Sequence, residues 1–263
     1  MQKFLFSLVF AFSLFSNAEL KKEVVEYKDG KEIYEGYLVY DDAFQGRRPT
    51  VLIAHQWMGI TDHERSVAEK LAQSGYVAFV MDVYGKGVRP QNTDEAAKLA
   101  TQLKTDVKLF RKRQKAALDF ITKKKNVDKK SLVISGYCLG GTAALEAARA
   151  GFKIAGAVSF HGGLSTPNPK DAKKIKTKVL VLHGNVDPLV PPAEVEGFFK
   201  EMNAAKVDYQ FVAYSDAVHA FTQLSAGNDP SKGFAYNKKA DQRSWAAFMN
   251  FLDEVAPASP DKY

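Results

Sequence analysis

The feature that most restricts the fold of this chain is a series of short, continuously apolar segments separated by helical patterns and loops. These segments are TVLIAHQ (50–56), YVAFVMD (76–82), SLVISGY (131–137), IAGAVSFHG (154–162), TKVLVLHG (177–184) and VDYQFVAYS (207–215). A strand without a polar face must be covered on both faces, which is typical of a parallel sheet between two layers of helices. The alternation therefore predicts an α/β fold.

Two earlier segments complete the predicted sheet. EVVEYK (23–28) and EIYEGYLVYD (32–41) are joined through Asp29-Gly30, which indicates an antiparallel hairpin. The helical patterns are HERSVAEKLAQSG (63–75), one long helix over 94–121, GTAALEAARAG (141–151), PPAEVEGFFKEMNAA (191–205) and a last helix over 245–255, with 166–178 as a surface loop. No linker divides residues 19–263, so we expect one domain: a mostly parallel sheet, an N-terminal antiparallel hairpin and helices on both faces.

The first 18 residues are typical of a secretory signal peptide. Lys3 precedes a largely apolar run over 4–15, and the small residues Ser16 and Ala18 fit a cleavage site. An uncleaved anchor is the alternative, but a bilayer span needs about 20 apolar residues, and this run is shorter. A lipoprotein would need a cysteine at the new N-terminus, whereas the one cysteine is Cys138. We expect cleavage after Ala18 and a periplasmic or secreted protein without a membrane span.

Much of the net charge of +7 lies in the segment 108–130. Uncharged side chains in and just before this segment recur at helical spacing, which leaves the basic side chains mostly on the opposite, solvated face of a helix. These positions are Val107, Phe110, Gln114, Ala117, Leu118 and Ile121. Nucleic acid is therefore not an expected partner, although loose attraction to an anionic envelope surface remains an alternative. We expect a monomer.

A glycine-rich turn surrounds Cys138. A lone cysteine is usually a small buried hydrophobe, but Gly136-Tyr137-Cys138-Leu139-Gly140 follows a predicted strand and opens a predicted helix, as in a nucleophile elbow. Such a tight turn needs glycine two residues before and two residues after the nucleophile. The helix N-terminus would also favour the thiolate. A structural cysteine would explain the thiol but not this spacing, so we predict that Cys138 is a nucleophile.

A thiol nucleophile needs a base, and the base needs a group that orients it. His219, in SDAVHAFT, follows the last predicted strand, and Asp187, in GNVDP, follows the strand before it. The order nucleophile, acid, histidine matches a known catalytic arrangement on such sheets. Asp216 is a competing acid, although its place three residues before the histidine suits loop capping better, and helix capping is the alternative for Asp187. We expect local structural roles for His55, His63, His161 and His183.

Two backbone N–H groups are expected to stabilise negative charge on a substrate oxygen. One is that of Leu139, the residue after the predicted nucleophile. The other lies in the loop HQWMG after the first apolar strand, at Gln56 or Trp57.

In this order, the elbow GYCLGG, the HGNVDP loop and the HAF loop resemble the dienelactone hydrolase family of α/β-hydrolases. The resemblance covers nearly all of 19–263 and extends to HQWMGITDHERSVAEKLAQSGYVAFVMDVYG; cysteine in the elbow is specific, since most α/β-hydrolases have serine there. It implies Cys138 as nucleophile, Asp187 as acid and His219 as base. It also implies that Leu139 and Trp57 supply the oxyanion N–H groups.

The sequence departs from the family at three positions. Gln56 replaces a Glu that helps to activate the thiol, and Lys86 and Gln223 replace two arginines that bind the substrate carboxylate. These departures argue against the namesake substrate and leave the triad intact, and we expect Gln56, Lys86 and Gln223 to contact the substrate from these places. Apolar side chains near the site either line a substrate wall or belong to the core; they are Trp57, Met58, Tyr84, Tyr137 and Phe221.

The chain has no G-x-G-x-x-G or Walker motif, and its histidines are too scattered to suggest a zinc site. We therefore expect no metal and no cofactor. The leading hypothesis is an exported carboxylic-ester or lactone hydrolase that acts on a small molecule through an acyl-thioester. Two alternatives remain: a non-catalytic small-molecule-binding protein on the same scaffold, and a thiol redox protein, which the lack of C-x-x-C disfavours.

Overall fold

The computed structural model describes residues 19–258, so the signal peptide predicted for residues 1–18 lies outside the described residues. The strands are β1 (Leu20–Asp29), β2 (Glu32–Asp41), β3 (Arg48–Ala54), β4 (Val77–Met81), β5 (Val127–Tyr137), β6 (Gly156–Phe160), β7 (Lys178–Gly184) and β8 (Tyr209–Tyr214). The α-helices are α1 (Asp62–Gln73), α2 (Thr93–Thr105), α3 (Val107–Ile121), α4 (Leu139–Arg149), α5 (Pro192–Ala205) and α6 (Lys238–Val255).

The strands form a sheet in the order β1-β2-β4-β3-β5-β6-β7-β8. β2 pairs antiparallel with both β1 and β4, and the other neighbouring strands pair in parallel. The prediction of a mostly parallel sheet with an N-terminal antiparallel hairpin is confirmed. Because parallel strands end at the same edge, the loops after β3, β5, β7 and β8 meet there, where such sheets bind ligands.

The hairpin turn lies one residue later than the sequence signal suggests. β1 and β2 pair Asp29 with Glu32, which leaves Gly30 and Lys31 as the turn. Gly30 has a φ of 60°, a left-handed conformation that glycine adopts without steric cost. Glycine is the usual first residue of one class of two-residue hairpin turn.

The two faces of the sheet carry separate cores because side chains along a strand alternate between faces. In β3, Leu52 and Ala54 join the core that α2, α3, α4 and α5 cover, whereas Val51 and Ile53 join the core that α1 and α6 cover. All four side chains are fully buried. The sheet therefore lies between two layers of helices, as the apolar strands predict.

The single helix predicted over 94–121 is wrong, because this segment forms α2 and α3. Asp106 lies between them with a φ of −98° and a ψ of 72°, and its carboxylate accepts the Leu109 N–H at 2.9 Å. Aspartate competes for backbone N–H groups and so favours a helix start over a helix interior. The buried face of α3 is close to the predicted one and consists of Phe110, Gln114, Ala116, Ala117, Leu118 and Ile121.

Two further segments differ from expectation. The last helix begins at Lys238 rather than at residue 245, with Asn237 as its cap, and the loop 166–178 contains a short 3₁₀ helix over Pro169–Lys174. Within residues 19–258, none of the helices has the length and apolar character needed to cross a membrane.

Candidate active site

Cys138 lies at the turn between β5 and α4, at the edge where the parallel strands end. Its φ of 55° and ψ of −115° lie outside the regions that residues with a side chain normally adopt. Such a conformation costs about 1–3 kcal/mol and persists only where the surroundings impose it. The side chain is partly exposed. Both observations argue against a purely structural, buried cysteine.

Two glycines make this turn possible. A Cβ on Gly136 would lie 2.3 Å from the Gly140 carbonyl, and a Cβ on Gly140 would lie 2.0 Å from the carbonyl oxygen of Ala54 in β3. These neighbours are backbone atoms of packed elements, so they cannot move aside as a flexible side chain could. The glycine spacing in the sequence is therefore explained by the close approach of α4 to β5 and β3.

His219 and Asp187 form a buried pair on the loops after β8 and β7. His219 Nδ1 and Asp187 Oδ2 are 2.8 Å apart, and Asp187 Oδ1 accepts the Leu189 N–H at 2.8 Å. Asp216, the competing acid, is exposed, and within residues 19–258 its carboxylate makes no contact with the imidazole. The structure therefore brings Asp187, and not Asp216, to the histidine.

The Cys138 thiol and the His219 imidazole are electrostatically coupled. Burial alone would raise the pKa of the thiol, but His219 outweighs it and lowers that pKa, with smaller contributions from Lys104 and the Leu139 N–H. Burial likewise opposes a charged imidazole, yet Cys138 and Asp187 raise the pKa of His219 to about 10. His219 Nε2 is itself buried without a regular hydrogen bond to the rest of the described chain. Both pKa shifts favour a thiolate beside an imidazolium.

The coupling predicts a reactive thiolate below the ordinary thiol pKa of about 8.5. The alkylation rate of Cys138 by iodoacetamide should stay at its plateau as the pH falls past that value and decrease only near the lowered pKa. His219→Asn removes the opposing charge and should shift the midpoint of the rate profile upward. A midpoint that does not change in His219→Asn would contradict the coupling.

A second histidine contacts the elbow. His161 Nδ1 accepts the Cys138 backbone N–H at 3.2 Å, and His161 Nε2 lies 2.9 Å from Thr222 Oγ1. Burial lowers the pKa of His161 well below its ordinary value, which keeps the ring neutral and its Nδ1 able to accept. His161 thus connects the elbow to the loop that carries His219. A local role was predicted for His161 but not this connection, for which the position of His161 directly after β6 is the available sequence signal.

Hydrogen bonds within the turn after β3 account for some of its backbone N–H groups but not for that of Trp57. The Gln56 N–H donates to the Glu64 carboxylate at 3.3 Å, the Met58 N–H to Gln56 Oε1 at 3.1 Å, and the Gly59 N–H to the Gln56 carbonyl at 3.1 Å. The Trp57 N–H has no partner in the described part of the chain. Of the two donors that the sequence left open, that of Gln56 is occupied and that of Trp57 is available.

Glu64, which was not among the predicted site residues, holds this turn in place. Fully buried in the first turn of α1, Glu64 accepts the Gln56 N–H on Oε1, and on Oε2 the Thr61 N–H and hydroxyl at 2.9 and 2.6 Å. Thr61 and Glu64 form a capping box, and the T-x-x-E pattern in TDHE (61–64) is its sequence signal. One carboxylate therefore fixes both the start of α1 and the turn that presents the Trp57 N–H.

Tyr84 supports the same turn from the neighbouring loop. Its hydroxyl donates to the Trp57 carbonyl at 2.8 Å, and its ring lies 4.7 Å from that of His55. His55 Nε2 accepts the Val83 N–H at 3.1 Å, in the loop-shaping role expected for it. Tyr84 is buried, and that burial and, to a smaller extent, the charge of the Cys138 thiol raise the pKa of its hydroxyl.

A cavity of about 850 Å³ opens between α1 and α6, next to the loops that carry the predicted triad. Four residues predicted to contact the substrate line it: Gln56, Met58, Tyr137 and Gln223. Phe221 is a correction, since its fully buried ring packs 5.1 Å from His161 and 5.5 Å from Tyr214 and belongs to the core.

The basic residues near the site differ in their availability. The structure does not bring Lys86 to the cavity, because its exposed ammonium pairs with Glu26 of β1. The Arg89 guanidinium lies 3.6 Å from the Asp82 carboxylate. Lys104 of α2, which the sequence analysis missed, acts on the thiol by its charge and lines a second cavity of about 300 Å³. No sequence signal places a helix-surface lysine beside the thiol.

The other titratable groups do not form a metal centre. Among residues 19–258, no three His, Cys, Asp or Glu side chains are placed to hold one metal ion. His183 is buried beside Phe211 with its Nδ1 unpaired.

The chain is similar in sequence to a known protein family and to proteins of other organisms. The sequence model of the dienelactone hydrolase family matches residues 34–256. A protein of Aquifex aeolicus named "Putative carboxymethylenebutenolidase" is 27% identical over 241 residues, which cover 88% of this chain and 97% of that protein. A protein of Bradyrhizobium sp named "Probable 2-oxo-3-(5-oxofuran-2-ylidene)propanoate lactonase" is 30% identical over 217 residues, 79% of this chain and 84% of that protein.

The fold is also similar to that of solved structures. The crystal structure of a dienelactone hydrolase-like promiscuous phosphotriesterase from metagenomic libraries has 33% sequence identity and a TM-score of 0.85. The alignment covers 90% of this chain and 99% of that protein.

Proposed function

The chain belongs to the dienelactone hydrolase family and is a hydrolase of ester or lactone bonds, and from this premise we propose that it cleaves small, uncharged esters or lactones through Cys138. In this proposal His219 is the acid and base, Asp187 orients it, and the Leu139 and Trp57 N–H groups form the oxyanion hole. The proposal requires no metal and no cofactor.

The first half of the reaction forms an acyl-thioester. The Cys138 thiolate attacks the substrate carbonyl carbon, and the carbonyl electron pair moves onto oxygen. The Leu139 and Trp57 N–H groups donate to that oxyanion, where hydrogen bonds to charge are strong. As the carbon–oxygen bond breaks, the His219 imidazolium gives its proton to the departing alkoxide. From an ester the alcohol leaves, whereas the hydroxyl of an opened lactone stays attached to the acyl group; in both cases the acyl group stays on sulfur.

The second half releases the acid. Neutral His219 takes a proton from water as the water oxygen attacks the thioester carbonyl. The tetrahedral intermediate collapses with expulsion of the thiolate, which restores the pair of Cys138 and His219. Asp187 keeps the ring in one orientation throughout, because its carboxylate accepts the Nδ1–H in both protonation states.

The observation that carries the proposal is the buried pair of His219 and Asp187 beside the strained, partly exposed Cys138. We expect the purified protein to hydrolyse short-chain p-nitrophenyl esters, lactones or thioesters, and an acid-quenched reaction to show an acyl adduct on the Cys138 peptide by mass spectrometry. Ligand binding without turnover of any compound would favour the non-catalytic alternative. Reversible oxidation of the thiol without esterase activity would favour the redox alternative.

A preference for uncharged substrates follows from the side chains near the site. A guanidinium binds a carboxylate through two parallel hydrogen bonds, whereas the Gln223 amide carries no charge. Lys86 and Arg89 already face carboxylates of the protein. Lys104 is a further cation whose charge acts on the thiol, and a single lysine provides a point charge rather than a bidentate clamp.

We therefore expect kcat/KM for a carboxylate-bearing lactone to be at least about tenfold below that for its methyl ester, because a charge-assisted hydrogen bond contributes about 1.5–3 kcal/mol. The two compounds form a matched pair that differs only in charge at one group. Equal or faster turnover of the carboxylate form would contradict this preference, and Lys104→Ala would then show whether that lysine binds the anion.

Export and a monomeric state are also part of the proposal. The features of residues 1–18 predict a mature chain that starts at Glu19 and resides in the periplasm or outside the cell. Intact-mass analysis of an envelope fraction should find that species, and size-exclusion chromatography should find one copy per particle. Recovery of the full-length chain from the cytoplasm would refute export.

A further inference from the structure

Three residues that carry side chains adopt positive φ angles on loops around the predicted triad. They are Cys138 after β5, with a φ of 55°, His161 after β6, with a φ of 40°, and Ala220 after β8, with a φ of 58°. Such a conformation is sterically unfavourable and persists only where the surroundings impose it. Contacts between these loops are therefore expected, and the His161 side chain makes them.

The His161 ring joins two of the three loops. Its Nδ1 accepts the Cys138 N–H at 3.2 Å, and the same N–H also donates to the Phe160 carbonyl at 3.0 Å. Because Nδ1 accepts, the ring proton lies on Nε2, which donates to Thr222 Oγ1 at 2.9 Å. Thr222 follows His219 by three residues. One ring thus links the backbone of the predicted nucleophile to the loop of the predicted base.

The ring itself is held firmly in place. His161 is only 1% exposed, and its backbone N–H donates to the Leu182 carbonyl of β7 at 2.8 Å. The rings of His219 and Phe221 each lie 5.1 Å from it, both edge-on. A side chain enclosed in this way fixes the separation of the groups that it joins.

A charged ring could not make the same link. With a proton on Nδ1, His161 would present a donor to the Cys138 N–H, and it would place a second cation beside the His219 imidazolium. Burial, and then the charges of His219 and of His63 in α1, lower the pKa of His161 well below its ordinary value. The ring therefore stays neutral while His219 is charged.

We propose that His161 is a positioning residue: by tying the Cys138 backbone to the loop of His219, it holds the thiol and the imidazole at the separation that proton transfer between them requires. His161 acts through these two residues and does not react itself. The inference rests on the proposed function for its effect on turnover, whereas its effect on the thiol does not depend on any substrate.

Breaking the link should lower kcat with KM changed less than about twofold, because a misplaced reacting group slows the chemical step by up to about a hundredfold. For p-nitrophenyl acetate, we expect kcat to fall at least about tenfold in Thr222→Val, which removes one hydroxyl, and about a hundredfold in His161→Leu, which removes both contacts. His161→Asn should recover part of the loss, because asparagine suits a positive φ and its carboxamide oxygen accepts the Cys138 N–H.

Thr177→Val is the matched control for loss of a buried hydroxyl. Thr177 is 6% exposed, as Thr222 is, but it lies just before β7, at the opposite end of the sheet from the site. Its kcat should stay within about twofold of the wild type. Thr222→Val keeps the shape of the side chain, so it tests the proposal even if His161→Leu does not fold.

A measurement without substrate separates this inference from the proposed activity. In His161→Leu and Thr222→Val, the pH midpoint of Cys138 alkylation by iodoacetamide should shift upward, because a more distant His219 charge lowers the thiol pKa less. Thr177→Val should keep the wild-type midpoint. If no ester is hydrolysed and the midpoint shifts in this way, the proposed function fails and the role of His161 stands. An unshifted midpoint in both variants, or an equal shift in Thr177→Val, would overturn that role even if esters are hydrolysed.

Discussion

Cys138→Ala is expected to lower kcat/KM for every hydrolysed ester by about 10⁴-fold or more, because in the proposed mechanism Cys138 carries the acyl group and acts as a unit with His219 and Asp187. Alanine has the same backbone preferences as cysteine at a φ of 55°, so the elbow should keep its shape. Steady-state kinetics give the loss, and urea unfolding should show that the free energy of unfolding is little changed.

His219→Ala should lower kcat/KM nearly as much as Cys138→Ala does. Asp187→Asn should lower kcat/KM by a factor about two orders of magnitude smaller than that of Cys138→Ala, because the imidazole remains. The double variant of Cys138 and His219 should be no worse than either single variant, since their losses are not additive. Additive losses would show that the two residues do not act in the same step.

Asp216→Asn is the matched control for the acid. The Asp216 side chain is exposed, and its φ of 59° suits asparagine as well as aspartate. We expect kcat/KM within about twofold of the wild type, because no charge is removed from the histidine. A larger loss in Asp216→Asn than in Asp187→Asn would reverse the assignment of the acid.

The parallel strands could be predicted from the sequence because each is apolar along its whole length, which leaves few structures that could cover it. The break at Asp106 could not be predicted in the same way, since the helical periodicity continues through both α2 and α3. A single carboxylate that captures the Leu109 N–H decides between one helix and two. Competition between a side chain and the backbone for one N–H group does not alter the spacing of apolar residues, so that spacing could not reveal the break.

The meeting of Cys138, Asp187 and His219 could be anticipated because each follows a strand and parallel strands end together. The choice between Gln56 and Trp57 could not be made from sequence. It depends on which N–H groups the turn itself consumes, and Glu64 decides this from the next helix. Hydrogen-bond allocation is a property of the folded turn, not of residue type.

The substrate-contact predictions show the same limit. Tyr137 and Phe221 are both aromatic and both lie within two residues of a triad member. Tyr137 faces the cavity between α1 and α6, whereas Phe221 is enclosed by its neighbours. Which buried aromatic ring borders a cavity depends on how the loop after β8 turns back over the sheet, and residue spacing does not specify that path.

The second large effect is expected from a single added methyl group. Gly140→Ala places a Cβ 2.0 Å from the Ala54 carbonyl oxygen and 3.0 Å from that of His55. β3 is hydrogen-bonded on both sides, to β4 and to β5, so it cannot retreat without breaking the centre of the sheet. We expect the free energy of unfolding to fall by more than about 3 kcal/mol.

Gly197→Ala is the matched control and should raise, not lower, the free energy of unfolding. Gly197 lies within α5 with nothing within 4 Å of its added Cβ, and replacing an unhindered helical glycine by alanine stabilises by about 0.5–1 kcal/mol. Urea unfolding of both variants measures the difference. If Gly140→Ala folds, the displaced α4 should carry the Leu139 N–H away from the oxyanion, so kcat should fall while alkylation of Cys138 continues. Wild-type stability and kcat in Gly140→Ala would mean that α4 does not approach β3 as closely as the elbow requires.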